Sequence, residues 1–205
     1  QTDIVRSREL LIEQRDEAMT AQEKIRHLQD ELTKLSEVVR VDQLTGVLNR
    51  RGFDDAVVRE VSRVNRGGGN LSIAMLDVDN FKIFNDSYGH QTGDQLLKEL
   101  AYIAQNHIRE NDILVRYRGE EFFIIMPNCT PRQASEVAER IRSSLEKDMT
   151  SGHKITASLG ISTYSFSSDL ESADEVLEKL IEQSDQALYQ AKDKGRNRFQ
   201  HFSSI

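Results

Sequence analysis

The chain has 205 residues and a mass of 23.4 kDa, room for one substantial domain plus an accessory segment. With 38% hydrophobic and 30% charged residues it suits a modest core carrying a long solvated element, and a formal net charge of -7 argues against general nucleic-acid binding, which needs a basic surface. The single cysteine, Cys129, rules out an intrachain disulfide, and no run approaches the roughly 20 apolar residues of a membrane span.

Residues 4–39 carry a heptad. Ile4, Leu11, Ala18, Ile25, Leu32 and Val39 fall at a; Ser7, Gln14, Ala21, Leu28 and Leu35 fall at d. There is no Pro or Gly before Gly46, so the run predicts a helix about 50 Å long at ~1.5 Å per residue. A parallel coiled-coil homodimer is favoured over a single amphipathic helix folded back on its own domain. The seam is firm from Ile25 onward and weaker before it, with Ser7 and Gln14 at d. Residues 1–40 are therefore expected to be a signalling and dimerisation helix ahead of a domain over 41–205. The chain opens on Gln1 without a signal-peptide pattern, which reads as a cytoplasmic piece of a longer receptor.

Asp42 to Gly46 breaks the helix, with Thr45-Gly46 as the turn. Residues 49–64 read as a further helix. The Gly67-Gly68-Gly69 run lacks the Lys-Ser/Thr ending of a phosphate loop and precedes a strand, so it is a flexible connection. Leu71–Asp77 is an apolar strand ending in Asp77-Val78-Asp79. A turn or short helix over Phe81–Tyr88 and a helix from about Gly93 to Ile108 follow. Ile113–Tyr117 and the apolar run Phe122–Met126 flank a tight turn, a hairpin with Glu120 and Glu121 at its tip. Pro131 opens a helix to about Leu145, Ile155–Ser162 alternates as a strand, Ala173–Lys194 is helical, and Asn197–Phe202 closes as a strand. This order predicts an α+β, ferredoxin-like plan: an antiparallel-containing sheet with helices on one face.

Two acidic clusters stand out because strand ends are where such folds place chemistry. Carboxylates from Asp77-Val78-Asp79 and from the hairpin turn can converge on a divalent cation, and carboxylate donors favour Mg²⁺ or Mn²⁺. Ordinary explanations exist for each residue taken alone. Turn acids are usually solvated, and Asp79 fits best as a helix N-cap. Lys192 and Arg196 complement a helix C-terminus. His90 reads as structural, and Cys129 as a semi-buried structural thiol.

The segments together resemble the GGDEF family of diguanylate cyclases. Arg118-Gly119-Glu120-Glu121-Phe122 looks like its signature, and Asp42-Gln43-Leu44-Thr45-Gly46 with Asn49-Arg50-Arg51 like its opening motif. Asp77-Val78-Asp79-Asn80-Phe81-Lys82, Asn85, Gly89-His90 and Gly93-Asp94 follow in the family's order. Ser158-Leu159-Gly160-Ile161 and Ala187 through Asn197 complete a match over residues 42 to about 200. The resemblance implies the palm-type fold of nucleotide cyclases and condensation of two GTP into cyclic di-GMP by a dimer. It makes Asp77, the Val78 carbonyl and Glu120 metal ligands, with Glu120 alternatively the proton acceptor and Glu121 its support. Phe81, Lys82, Gly119, Lys192 and Arg196 would bind substrate, the cations on its phosphates. Asn85 and Asp94 would read guanine, and His90 would shape the loop beside it. Arg109 and Asp112 have the spacing of the family's RxxD site, which implies inhibition by bound product.

Arg118 departs from the family's first signature Gly. Arg there is costly if φ must be positive; otherwise its guanidinium is free to meet a phosphate. A non-catalytic receptor for GTP or cyclic di-GMP is the competing reading. The survival of both acidic clusters and of Lys82, Lys192 and Arg196 disfavours it.

Overall fold

The computed structural model describes residues 15, 18, 19, 21–27, 40–148, 152, 155–166 and 171–203. The chain divides into two units, Gln1–Arg40 and Val41–Ile205, each described by itself. In the first, residues 21–27 are helical and exposed; of the heptad positions only Ala18, Ala21 and Ile25 fall on described residues. The remaining register, and the dimer read from it, lie outside the described residues. Among the described residues no helix is long and apolar enough to cross a membrane.

The second unit contains α1 (Arg50–Gly67), β1 (Asn70–Val78), α2 (Phe81–Tyr88), α3 (His90–Asn106), β2 (Ile113–Arg118), β3 (Glu121–Pro127), α4 (Pro131–Asp148), β4 (Ala157–Ser165), α5 (Ala173–Asp193) and β5 (Phe199–His201). The sheet order is β2-β3-β1-β4-β5. Only β4 and β5 run parallel; β1 lies antiparallel to β3 and to β4, and β2 to β3. Local signals set the helix ends. Asn49 accepts from the Gly52 amide at 3.1 Å to start α1, and Ser172 and Glu175 form a reciprocal capping box on α5.

The expectation of helices on one face is corrected. In β1, Ala74, Leu76 and Val78 point into a cluster with Leu96, Leu100, Val137 and Ile141 of α3 and α4. The alternate residues Leu71, Ile73 and Met75 join Phe53, Val57, Val61, Val176 and Leu180 of α1 and α5. β3 divides the same way, with Phe122, Ile124 and Met126 on one side and Phe123 and Ile125 on the other. The physical reason is legible in retrospect. An unbroken apolar run such as Phe122–Met126 belongs to a strand buried on both faces.

Candidate active site

The central strands β1 and β3 lie side by side with Asp77 opposite Glu121, so the end of one meets the hairpin tip of the other. The hairpin pairs in register from Ile113↔Ile125 to Arg116↔Phe122, then shifts to Arg118↔Glu121. Tyr117 is thus an extra residue, a bulge of the kind that re-aims a strand end. Its ring packs edge-on against Phe53 and Phe123, with Arg50 4.9 Å above it. Gly119 takes the positive φ of +50° in the two-residue loop. Arg118 is not among the described residues with positive φ, so it carries no such strain. Its Nε instead pairs with Glu121 Oε2. Arg116 braces the turn from inside, donating to the Gly119 carbonyl at 2.8 Å and to Asp42 Oδ1 at 3.1 Å.

Asp77, Val78, Phe81, Lys82, Glu120, Lys192 and Arg196 all line one cleft of about 270 Å³. Asp77 is buried, and Lys192 Nζ stands 2.9 Å from its Oδ1. Burial raises the Asp77 pKa; the Lys192 bond and charge pull it down, Glu120 and Glu121 push it up again, and the net direction is upward. Asp77 and Glu120 line the cleft together, and a cation between their like charges lowers the repulsion. Among the described residues no three His, Cys, Asp or Glu side chains are grouped to hold a metal. A Mg²⁺-type site takes one or two carboxylates and leaves the other positions to water and substrate phosphate. Asp77, the Val78 carbonyl and Glu120 fit such a donor set.

Arg196 reaches the cleft from a turn that follows α5. Gly195, Arg196 and Asn197 have φ of +111°, +60° and +47°, which for Arg is a disfavoured left-handed conformation. Asp79 also lines the cleft, but the capping expectation for it is corrected. Asn80 precedes α2 with no side-chain cap bond, while the Asp79 carboxylate accepts from Thr156, Ser158 and Asn197.

The residues expected to read a base lie outside that cleft. Asn85 packs against Gly93, and its Oδ1 is buried with no hydrogen-bond partner. Asp94 is exposed and opens onto a second cleft with Leu44, Gln91 and Lys98. Leu44 was read only as part of the opening motif, because a lone apolar residue in a turn carries no chemical signal of its own. His90 is exposed at the first position of α3 and lines neither cleft. Arg109 and Asp112 sit at the other end of β2 from the turn. Asp112 Oδ2 accepts from the Arg109 amide at 2.9 Å, and Asp112 is buried. Burial raises its pKa against the Arg109 amide bond and the charges of Arg109 and Arg140. Arg140 of α4 was not singled out from the sequence; it binds the His107 carbonyl at 2.6 Å and completes this basic corner. Cys129 is buried, and burial pushes its thiol pKa up.

The family profile described as "Diguanylate cyclase, GGDEF domain" matches residues 39–198. Among curated relatives, the chain is 39% identical to diguanylate cyclase DosC of Escherichia coli over 163 residues, 78% of this chain and 34% of that protein. It is 37% identical to diguanylate cyclase VdcA of Vibrio cholerae over 175 residues, 85% of this chain and 50% of that protein. The chain therefore spans a third to a half of these relatives. Among solved structures, the coiled coil and GGDEF domain of DgcB from Caulobacter crescentus in complex with c-di-GMP matches with a TM-score of 0.72 at 30% identity, over 88% of this chain and 95% of that one. The GGDEF domain of DgcB without the coiled coil, also in complex with c-di-GMP, matches with a TM-score of 0.73 at 34% identity, over 81% of this chain and 97% of that one.

Proposed function

The chain belongs to the GGDEF family, and from that membership we propose that it is a diguanylate cyclase, condensing two GTP into cyclic di-GMP with release of two pyrophosphates. The observation that carries the reading is the single cleft shared by Asp77, Val78, Glu120, Lys82, Lys192 and Arg196. Each 3′-hydroxyl attacks the α-phosphate of the other nucleotide, so the protein must hold the polyphosphate, spread its charge and take up a proton. Lys82, Lys192 and Arg196 meet the phosphates. Lys192 exchanges Asp77 for phosphate oxygens when nucleotide enters. Asp77, the Val78 carbonyl and Glu120 hold Mg²⁺ or Mn²⁺, which when bound supplies charge neutralisation at the phosphoryl oxygens. Glu120 is the carboxylate nearest the turn tip and the candidate acceptor of the 3′-hydroxyl proton, with Glu121 supporting it.

Asn85 and Asp94 recognise the guanine edge. The orphaned Asn85 Oδ1 supports this, because a buried acceptor without a donor is costly and a base N–H would satisfy it. One chain holds one GTP, so closing the ring needs two copies; residues 1–40 are the candidate means of pairing. Arg109 and Asp112, with Arg140 beside them, form the candidate inhibitory site for cyclic di-GMP. The test is chromatographic product analysis after incubation with GTP and Mg²⁺, beside Glu120→Ala. Cyclic di-GMP from the parent and none from the variant is the expected result. No product from a dimeric preparation would reject the cyclase and leave a nucleotide receptor as the better reading.

A further inference from the structure

Asp79 is only 5% exposed, and its carboxylate is spent on three partners far apart in sequence. Oδ1 accepts from Ser158 Oγ at 2.7 Å; Oδ2 accepts from Thr156 Oγ1 at 2.7 Å and from the Asn197 backbone N–H at 3.0 Å. The Asp79 amide donates to the Thr156 carbonyl at 2.9 Å. One charged group therefore joins the end of β1, the approach to β4 and the turn after α5.

That turn needs holding. Its left-handed Arg196 and Asn197 are conformations that non-glycine residues keep only where surrounding structure over-determines them. The Asn197 side chain is gripped on the far side, its Oδ1 accepting from Arg142 Nη1 at 2.7 Å and its Nδ2 donating to Glu146 Oε1 at 3.0 Å. The Arg196 amide donates to the Ala191 carbonyl at 3.1 Å. Asp79 supplies the cleft-side anchor, and its negative charge makes these bonds stronger than neutral ones.

We propose that Asp79 is a positioning residue whose carboxylate holds the Gly195-Arg196-Asn197 turn so that Arg196 faces the phosphate cleft. It is neither a helix cap nor a metal ligand. The inference rests on the reading of Arg196 as a phosphate contact. Asp79→Asn keeps the shape but removes the charge: with its oxygen toward Thr156 and Asn197 and its N–H₂ toward the Ser158 hydroxyl, the bond to the Asn197 N–H survives only as a weaker, neutral one.

The experiment is calorimetric titration of the full chain with α,β-methylene GTP and Mg²⁺ for Asp79→Asn, Arg196→Ala and the double variant, beside Mn²⁺ binding to nucleotide-free protein by electron paramagnetic resonance. Arg196→Ala is expected to lose about tenfold in affinity or more. Asp79→Asn should lose a measurable part of that factor and the double variant no more than Arg196→Ala alone, because both act on one interaction. Mn²⁺ binding should persist in Asp79→Asn and fall in Asp77→Asn. A folded Asp79→Asn that binds nucleotide as well as the parent, independent multiplying losses, or lost Mn²⁺ binding would each overturn the proposal. Unchanged affinity in Arg196→Ala would instead reject the phosphate contact, and the proposal with it. Should Asp79→Asn not fold, Thr156→Val removes a single donor; a smaller loss of affinity supports the proposal and none defeats it.

Discussion

Gly93 is glycine because Asn85 occupies the space a side chain would need. A Cβ there would lie 1.9 Å from Asn85 Oδ1 and 3.2 Å from the Phe81 ring. Asn85 can rotate away, so Gly93→Ala is expected to fold while losing roughly tenfold in affinity for a non-hydrolysable GTP analogue, since one base hydrogen bond goes. Calorimetry beside a thermal melt would separate the two effects. Arg118 makes the opposite case. From the sequence it looked like a backbone problem, yet its φ is ordinary and its side chain, 70% exposed, pairs with Glu121. Such a pair in water is worth at most about 1 kcal/mol. Arg118→Gly should therefore move Tm by less than roughly 4 °C and leave cyclic di-GMP formation intact by chromatography. The difference between fear and finding is the bulge at Tyr117, whose register shift no residue pattern announces.

Elements were legible to within a few residues where the residue pattern marked them, as for α5, expected over Ala173–Lys194 and found over Ala173–Asp193. Their packing was less so. Gly160 of β4 lies under α5 so closely that a Cβ would meet the Ser184 carbonyl at 2.0 Å and the Leu188 amide at 2.3 Å, both backbone. Gly160→Ala is expected to cost about 3 kcal/mol, a Tm fall of roughly 6–12 °C by calorimetry. The role of Asp79 was illegible for a related reason, since its partners lie 77 to 118 residues away. Asp42 ties the lead-in segment to the hairpin through Thr45 and Arg116. Burial pulls its pKa up, but those bonds outweigh it, and the net shift is below the usual 3.8. A carboxyl with a depressed folded pKa stabilises fully above its unfolded value and ceases to do so as pH falls through the folded one. Asp42→Asn should therefore lower Tm at neutral pH, with the gap to the parent steady down to about pH 4 and closing below it.

For the whole molecule, the candidate site draws on residues from Asp77 to Arg196, and only the sheet brings them to one cleft. The residue types were readable, but each alone has an ordinary structural duty, turn acids being solvated and cations complementing a helix C-terminus. Their convergence was supplied by resemblance, not by spacing. If two copies close the ring, specific activity of the full chain should fall on dilution while affinity for a GTP analogue stays constant; product rate against protein concentration, followed by light scattering, measures it. The margins of the sheet bear on how such copies meet. β5 has three residues, and the outer side of β2 is bridged by Leu48, which accepts the Arg116 amide, and flanked by Arg116 and Arg118. Short and charged borders are poor templates for an added strand. Among the described residues, then, the sheet leaves no long bare margin on which a strand of a second copy could be laid, and pairing of copies falls to other surfaces.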